Sequence, residues 1–118
     1  MDPHFDGVIF QTHAHELDRR LRTDFPAWCV LDVRPPEEFE AGHIPGSRTA
    51  SPDDLATALP EGTDGGTEFF VVGGEAGDAR IRPVSEALRA RGARRIVELS
   101  GGIAEWTAFD LALDRQAV

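Results

Sequence analysis

The segment Leu31-Asp32-Val33-Arg34-Pro35-Pro36-Glu37-Glu38-Phe39-Glu40-Ala41-Gly42-His43-Ile44-Pro45-Gly46-Ser47 carries three structural signals in succession. It begins inside an apolar run over residues 28–33, the pattern of a strand covered on both faces. Residues 35–41 then predict a short helix. Proline suits its first turn, Glu37 and Glu38 complement the dipole there, and Gly42 offers a left-handed residue at the C-terminal end. The Ile44-Pro45-Gly46 turn serves the geometry of the return.

The same alternation continues outward in both directions. Upstream, Val8-Ile9-Phe10 predicts a strand over residues 7–11. Residues 13–23, with Leu17 and Leu21 four apart among charges, predict an amphipathic helix. Downstream, Ser51-Pro52-Asp53-Asp54 opens a helix through Leu59, with Ser51 as cap, Pro52 in the first position and Asp54 completing a variant capping box. Residues 60–66 are a loose linker joining two ordered halves. A second buried strand spans residues 68–72. Ile81, Val84 and Leu88 share one face of a helix ending at Gly92. A further strand spans residues 95–99, and Gly101-Gly102 leads into a helix carrying Trp106, Phe109 and Leu113.

Alternating strands and helices predict one α/β domain over residues 1–118, with a mostly parallel sheet of about five strands and helices on both faces. Sites in such sheets lie at the carboxyl ends of the strands. The connections after Val33 and Val72 are therefore the ones of interest.

Composition narrows the chemistry. The 118 residues contain no lysine, which excludes a Schiff-base enzyme and a Walker-A phosphate loop, and no tyrosine to act as a phenolic acid or base. Cys29 is the single cysteine, so there is no internal disulfide, no CxxC redox pair and no cysteine-rich zinc site. A net charge of -9 argues against nucleic acid and anionic lipid as partners. No apolar run approaches the roughly 20 residues that span a bilayer. The first residues show neither the cationic nor the long apolar region of a signal peptide. Cytoplasm is the expected location.

Taken together with Phe69-Phe70-Val71-Val72-Gly73-Gly74-Glu75-Ala76-Gly77 and Glu98-Leu99-Ser100-Gly101-Gly102-Ile103-Ala104-Glu105-Trp106, the opening segment resembles the rhodanese (sulfurtransferase) homology domain. The family shows an apolar strand ending Asp-x-Arg, then Glu-(Phe/Tyr)-x-x-Gly-His-Ile-x-Gly-Ala, and later Gly-Gly-x-x-x-Trp. The resemblance covers about residues 8–109 and implies the rhodanese-like α/β fold. It also implies that a catalytic cysteine should follow the strand over residues 69–72. Active members read Cys-x-x-Gly-x-Arg-Ser there, with the thiolate in a nest of backbone N–H groups at a helix N-terminus. Aligning Gly77 with the loop glycine puts Gly74 at the cysteine position, and Arg80 falls one residue later than the family arginine. The loop Gly73-Gly74-Glu75-Ala76-Gly77-Asp78-Ala79-Arg80 contains no serine or threonine as a substitute.

The resemblance therefore implies an inactive site, with no cofactor and no catalytic residue, in a module that binds a protein partner or regulates one. Two other readings remain open. One is a sulfurtransferase-related enzyme using Cys29 or a partner's cysteine, although Cys29 lies early in a strand and reads as a buried apolar residue. The other is a sensor of an anion or small metabolite through Gly74, Gly77 and Arg80, weakened by the nearby Glu75 and Asp78 and by Pro83, which lacks an N–H. Asp32, Arg34, Glu38 and His43 read as a hydrogen-bonded set supporting the loop. His13 and His15, two apart, do not share a helical face, no third strong ligand has helical spacing, and with His4 and Glu16 they are not expected to bind metal. The apolar segment 106–113 reads as core packing.

Overall fold

The computed structural model describes residues 9–59, 63 and 66–115. His4, the predicted strand start at Gly7 and Val8, and most of the 60–66 linker lie outside the described residues. Ten elements alternate among the described residues: β1 (Ile9–Thr12), α1 (Ala14–Arg20), β2 (Trp28–Asp32), α2 (Pro36–Ala41), β3 (Arg48–Thr49), α3 (Leu55–Ala58), β4 (Glu68–Val72), α4 (Ile81–Ala90), β5 (Arg95–Leu99) and α5 (Gly102–Ala108). The strands form one parallel sheet in the order β1-β5-β4-β2-β3.

Side chains alternate across a strand, so the apolar runs supply two cores at once. On one face, Cys29, Leu31, Phe69, Val71 and Ile96 pack with Leu55 of α3 and with Ile81, Val84 and Leu88 of α4. On the other, Val30, Phe70, Val72, Val97 and Leu99 pack with Ala14 and Leu17 of α1 and with Ile103 and Trp106 of α5. The sheet is thus covered on both faces, as the unbroken apolar runs require.

The structure corrects several local expectations. The first helix ends at Arg20, with Leu21 as its cap. Gly42 has φ 170° and is extended rather than left-handed. Its lack of a side chain serves packing, since a Cβ there would lie 3.3 Å from Leu113 Cδ1. Regular helix in α3 starts at Leu55, not Pro52. Half of the predicted capping box is present, because the Ser51 N–H donates to Asp54 Oδ1 at 2.8 Å. Leu113 lies beyond α5, where His43 and Asp114 form an antiparallel bridge and the Trp106 Nε1–H donates to the Ala112 carbonyl at 2.8 Å. Trp106 is buried, but Phe109 is 46% exposed and rests against the His15 ring. Edge strand β3 has two exposed residues and no apolar signature, which is why periodicity does not reveal it.

Cys29 is 5% exposed within the first core cluster, opposite Phe69 in the register. Burial pushes its thiol pKa up, against a smaller opposing effect of Arg48. A bulky thiol reagent should therefore label Cys29 slowly in the native protein and rapidly in denaturant. Fast stoichiometric labelling of the native fold would contradict this placement.

A buried carboxylate joins β5 to its neighbours. Glu98 accepts hydrogen bonds from Arg82 Nε (2.8 Å) and Nη2 (3.0 Å), Ser85 Oγ (2.7 Å) and Gln11 Nε2 (2.6 Å). Burial pushes its pKa up, but these donors outweigh burial and hold it below the usual range. A depressed carboxylate stabilises the fold above its unfolded pKa, and that stability is lost as pH falls through the folded value. Glu98→Gln should cost on the order of 2 kcal/mol at neutral pH. The gap from the natural protein should narrow below about pH 4, as read from urea midpoints across a pH series. A gap that stays constant would show that the charge is not what stabilises.

Candidate functional site

β4 ends at Val72 and α4 begins at Ile81, leaving residues 73–80 as a loop at the carboxyl end of the sheet. Its position is set by α5. The Gly73 carbonyl accepts the Ile103 N–H and the Gly74 carbonyl accepts the Ala104 N–H, each at 2.9 Å. These are donors of the first turn of α5, which would otherwise lack partners within the helix. The close approach requires Gly102. It has φ +64°, and a Cβ there would fall 2.6 Å from Glu75 N and 2.7 Å from Gly74 C. Gly102, the second glycine of the Gly101-Gly102 pair, is therefore the sequence signature of this contact.

Two Asp-x-Arg clamps flank the loop. At the end of β2, Asp32 Oδ1 accepts the Arg34 backbone N–H (2.9 Å) and Nε–H (3.0 Å), and Oδ2 accepts Nη2–H (2.8 Å). In the loop, Asp78 Oδ1 accepts the Arg80 backbone N–H (3.0 Å) and Nε–H (2.9 Å), and Oδ2 accepts Nη2–H (2.7 Å). The first clamp is buried, and Arg34 Nη2 also donates to the Gly42 carbonyl at 2.8 Å, tying the end of α2 to β2. The second reaches back along the loop, where Asp78 Oδ2 accepts the Gly74 N–H at 2.8 Å. The Arg80 hydrogen bonds hold the Asp78 carboxyl far below the ordinary carboxylate range, against partial desolvation. Asp78 in turn pushes the Arg80 guanidinium pKa up.

Between the clamps lies an open cleft of about 470 Å³. Arg34 and Glu38 line it from the segment after β2; Gly74, Glu75, Asp78 and Arg80 from the loop; Ile103 and Ala104 from α5. Gly74 is not demanded by packing. A Cβ there would find its nearest neighbours, Arg80 Nη2 and Asp78 Oδ2, at 3.7 Å.

The residues singled out in the sequence do not all meet here. Asp32 and Arg34 form the first clamp. The Glu38 side chain is exposed at the cleft and makes no hydrogen bond to Asp32, Arg34 or His43, so it stands apart from that set; its charge acts on Arg80. His43 is buried outside the cleft, stacked on Phe39 at 3.9 Å, with its Nδ1 2.8 Å from the Phe39 carbonyl. Of the three anion candidates, Gly74 and Arg80 converge on Asp78, whereas Gly77 faces a separate hollow with Gln11, Glu98 and Ser100. Ile103 and Ala104 line the cleft without a polar signature of their own in the sequence. The glycine pair before them was the available signal. Among the described residues no group of His, Cys, Asp or Glu is arranged to hold a metal ion. No described helix is long and apolar enough to cross a membrane.

Comparison with known proteins places this geometry. The family model described as a rhodanese-like domain matches residues 13–109. A curated relative, the HTH-type transcriptional regulator Rv0324 of Mycobacterium tuberculosis, is 32% identical over 106 residues. That match covers 90% of this chain but only 45% of the relative, so the chain spans less than half of the relative's length. A crystal structure of the Alr3790 protein from Anabaena sp. is 31% identical with a TM-score of 0.73, covering 88% of this chain and 81% of that one. A rhodanese-like domain protein from Staphylococcus aureus shares the fold at 24% identity and a TM-score of 0.71, over 92% of this chain and 99% of that one. The parallel five-stranded sheet, the loop after its central strand and the matched family model agree: the chain belongs to the rhodanese-like domain family.

Proposed function

We propose that this chain is a non-catalytic rhodanese-like domain that acts as a cytoplasmic binding or regulatory module, with another protein as its partner. The carrying observation is the loop itself. The family resemblance puts the catalytic cysteine at Gly74, and residues 73–80 offer no cysteine, serine or threonine. The one thiol in the chain, Cys29, is in the core. Sulfur transfer needs an accessible thiolate to attack the sulfane sulfur and carry it as a persulfide. Burial of Cys29 disfavours both steps. A curated relative named as a transcriptional regulator supports a regulatory reading over a metabolic one.

The test is thiosulfate:cyanide sulfurtransferase turnover, with the protein's mass followed in parallel. The natural protein should show no turnover and no persulfide. Gly74→Cys/Asp78→Ala, in which the new side chain has room and the Gly74 N–H is freed from the Asp78 carboxylate, should gain one sulfur atom in mass from thiosulfate with release of sulfite. Robust turnover by the natural protein, abolished in Cys29→Ala, would overturn the proposal.

A further inference from the structure

We propose that the Asp78 carboxylate is a built-in occupant of the loop's anion-binding groups, so that the natural domain is closed to free oxyanions such as sulfate, thiosulfate and phosphate. The inference rests on reading the loop as a ligand cradle without a thiol. Its readout is anion binding, which stands apart from sulfur transfer.

The geometry is that of a bound anion. Two backbone N–H groups, of Gly74 and Arg80, and the Arg80 guanidinium converge on one carboxylate at 2.7–3.0 Å. That carboxylate comes from the chain itself. Its side chain is 6% exposed, as enclosed as a seated ligand, although Arg80 beside it is 47% exposed. The seat is also shaped for it. A Cβ at Gly73 would lie 2.6 Å from Asp78 Oδ2, so the missing side chain at position 73 makes room for the carboxylate. Asp32 with Arg34 shows the same clamp serving a buried structural purpose within the same fold. In the loop, the clamp adds the N–H of Gly74, a residue that lines the cleft.

Competition favours the tethered group. A carboxylate four residues from Gly74 acts at an effective concentration on the order of millimolar or higher. A free anion entering the cleft also meets the exposed carboxylates of Glu38 and Glu75. Removing the Asp78 charge should release both backbone donors and Arg80 together.

Isothermal titration with sodium sulfate, against sodium chloride at matched ionic strength, tests this. The natural protein should give no saturable heat. Asp78→Ala should bind sulfate saturably and show a matching rise in melting temperature, and Asp78→Ala/Arg80→Ala should lose both. Asp78→Asn, which keeps the shape and removes the charge, provides a second variant if the alanine form does not fold. In the natural protein, the Gly74 and Arg80 amide resonances should stay in place as sulfate is added. Saturable sulfate binding by the natural protein, movement of either resonance, or folded Asp78 variants that bind no better than the natural chain would each overturn the proposal.

Discussion

The close approach of α5 to the loop after β4 is the contact on which the rest of the site depends. Gly102 sits within van der Waals distance of the backbone at residues 73–75, closer than any side chain would permit. That proximity lets Ile103 and Ala104 donate to the Gly73 and Gly74 carbonyls. The loop is thereby fixed by main-chain hydrogen bonds, whatever its side chains are. The Gly73 and Gly74 carbonyls face α5, and the Gly74 N–H donates instead to Asp78.

Charge at this end of the sheet is settled inside the molecule. Asp32 clamps Arg34, Asp78 clamps Arg80, and Glu98 binds Arg82. Each pair uses charge-assisted hydrogen bonds at short range, and the planar guanidinium suits the two carboxylate oxygens. The result differs from a site organised around an external anion, because the cations nearest the loop already have partners. Glu38 and Glu75 remain exposed beside them, giving the cleft an acidic mouth in keeping with the overall net charge of -9.

Much of the fold was legible because its signals are local and strong. The buried strands read as apolar runs around Val30 and Val71, and the α4 face reads from Ile81, Val84 and Leu88. Asp-x-Arg and Gly-Gly-x-x-x-Trp carried the family resemblance, and both have physical counterparts in the Asp32–Arg34 clamp and the Gly102 contact. Less visible were features that depend on long-range partners. β3 exists because Arg48 and Thr49 run beside Leu31 and Asp32, not because of their own pattern. Phe109 carries an apolar side chain at a plausible core spacing, yet the chain turns at Asp110, where φ is 59°, and leaves it against His15. The role of Asp78 was also hidden. Its charge reads from the sequence as an offset to Arg80, but only the loop's path brings its carboxylate onto the Gly74 N–H.

The matching clamps on either side of the cleft bear on how anything could dock there. A surface that must be ordered by its ligand gives up part of the interaction energy in ordering it. Here Arg34, Arg80 and the loop backbone are held by the chain's own carboxylates before any encounter. A partner fitting this face would meet a finished relief, with recognition governed by shape and by the exposed Glu38 and Glu75 rather than by induced closure. The contour of the cleft is in that sense written by the chain that carries it.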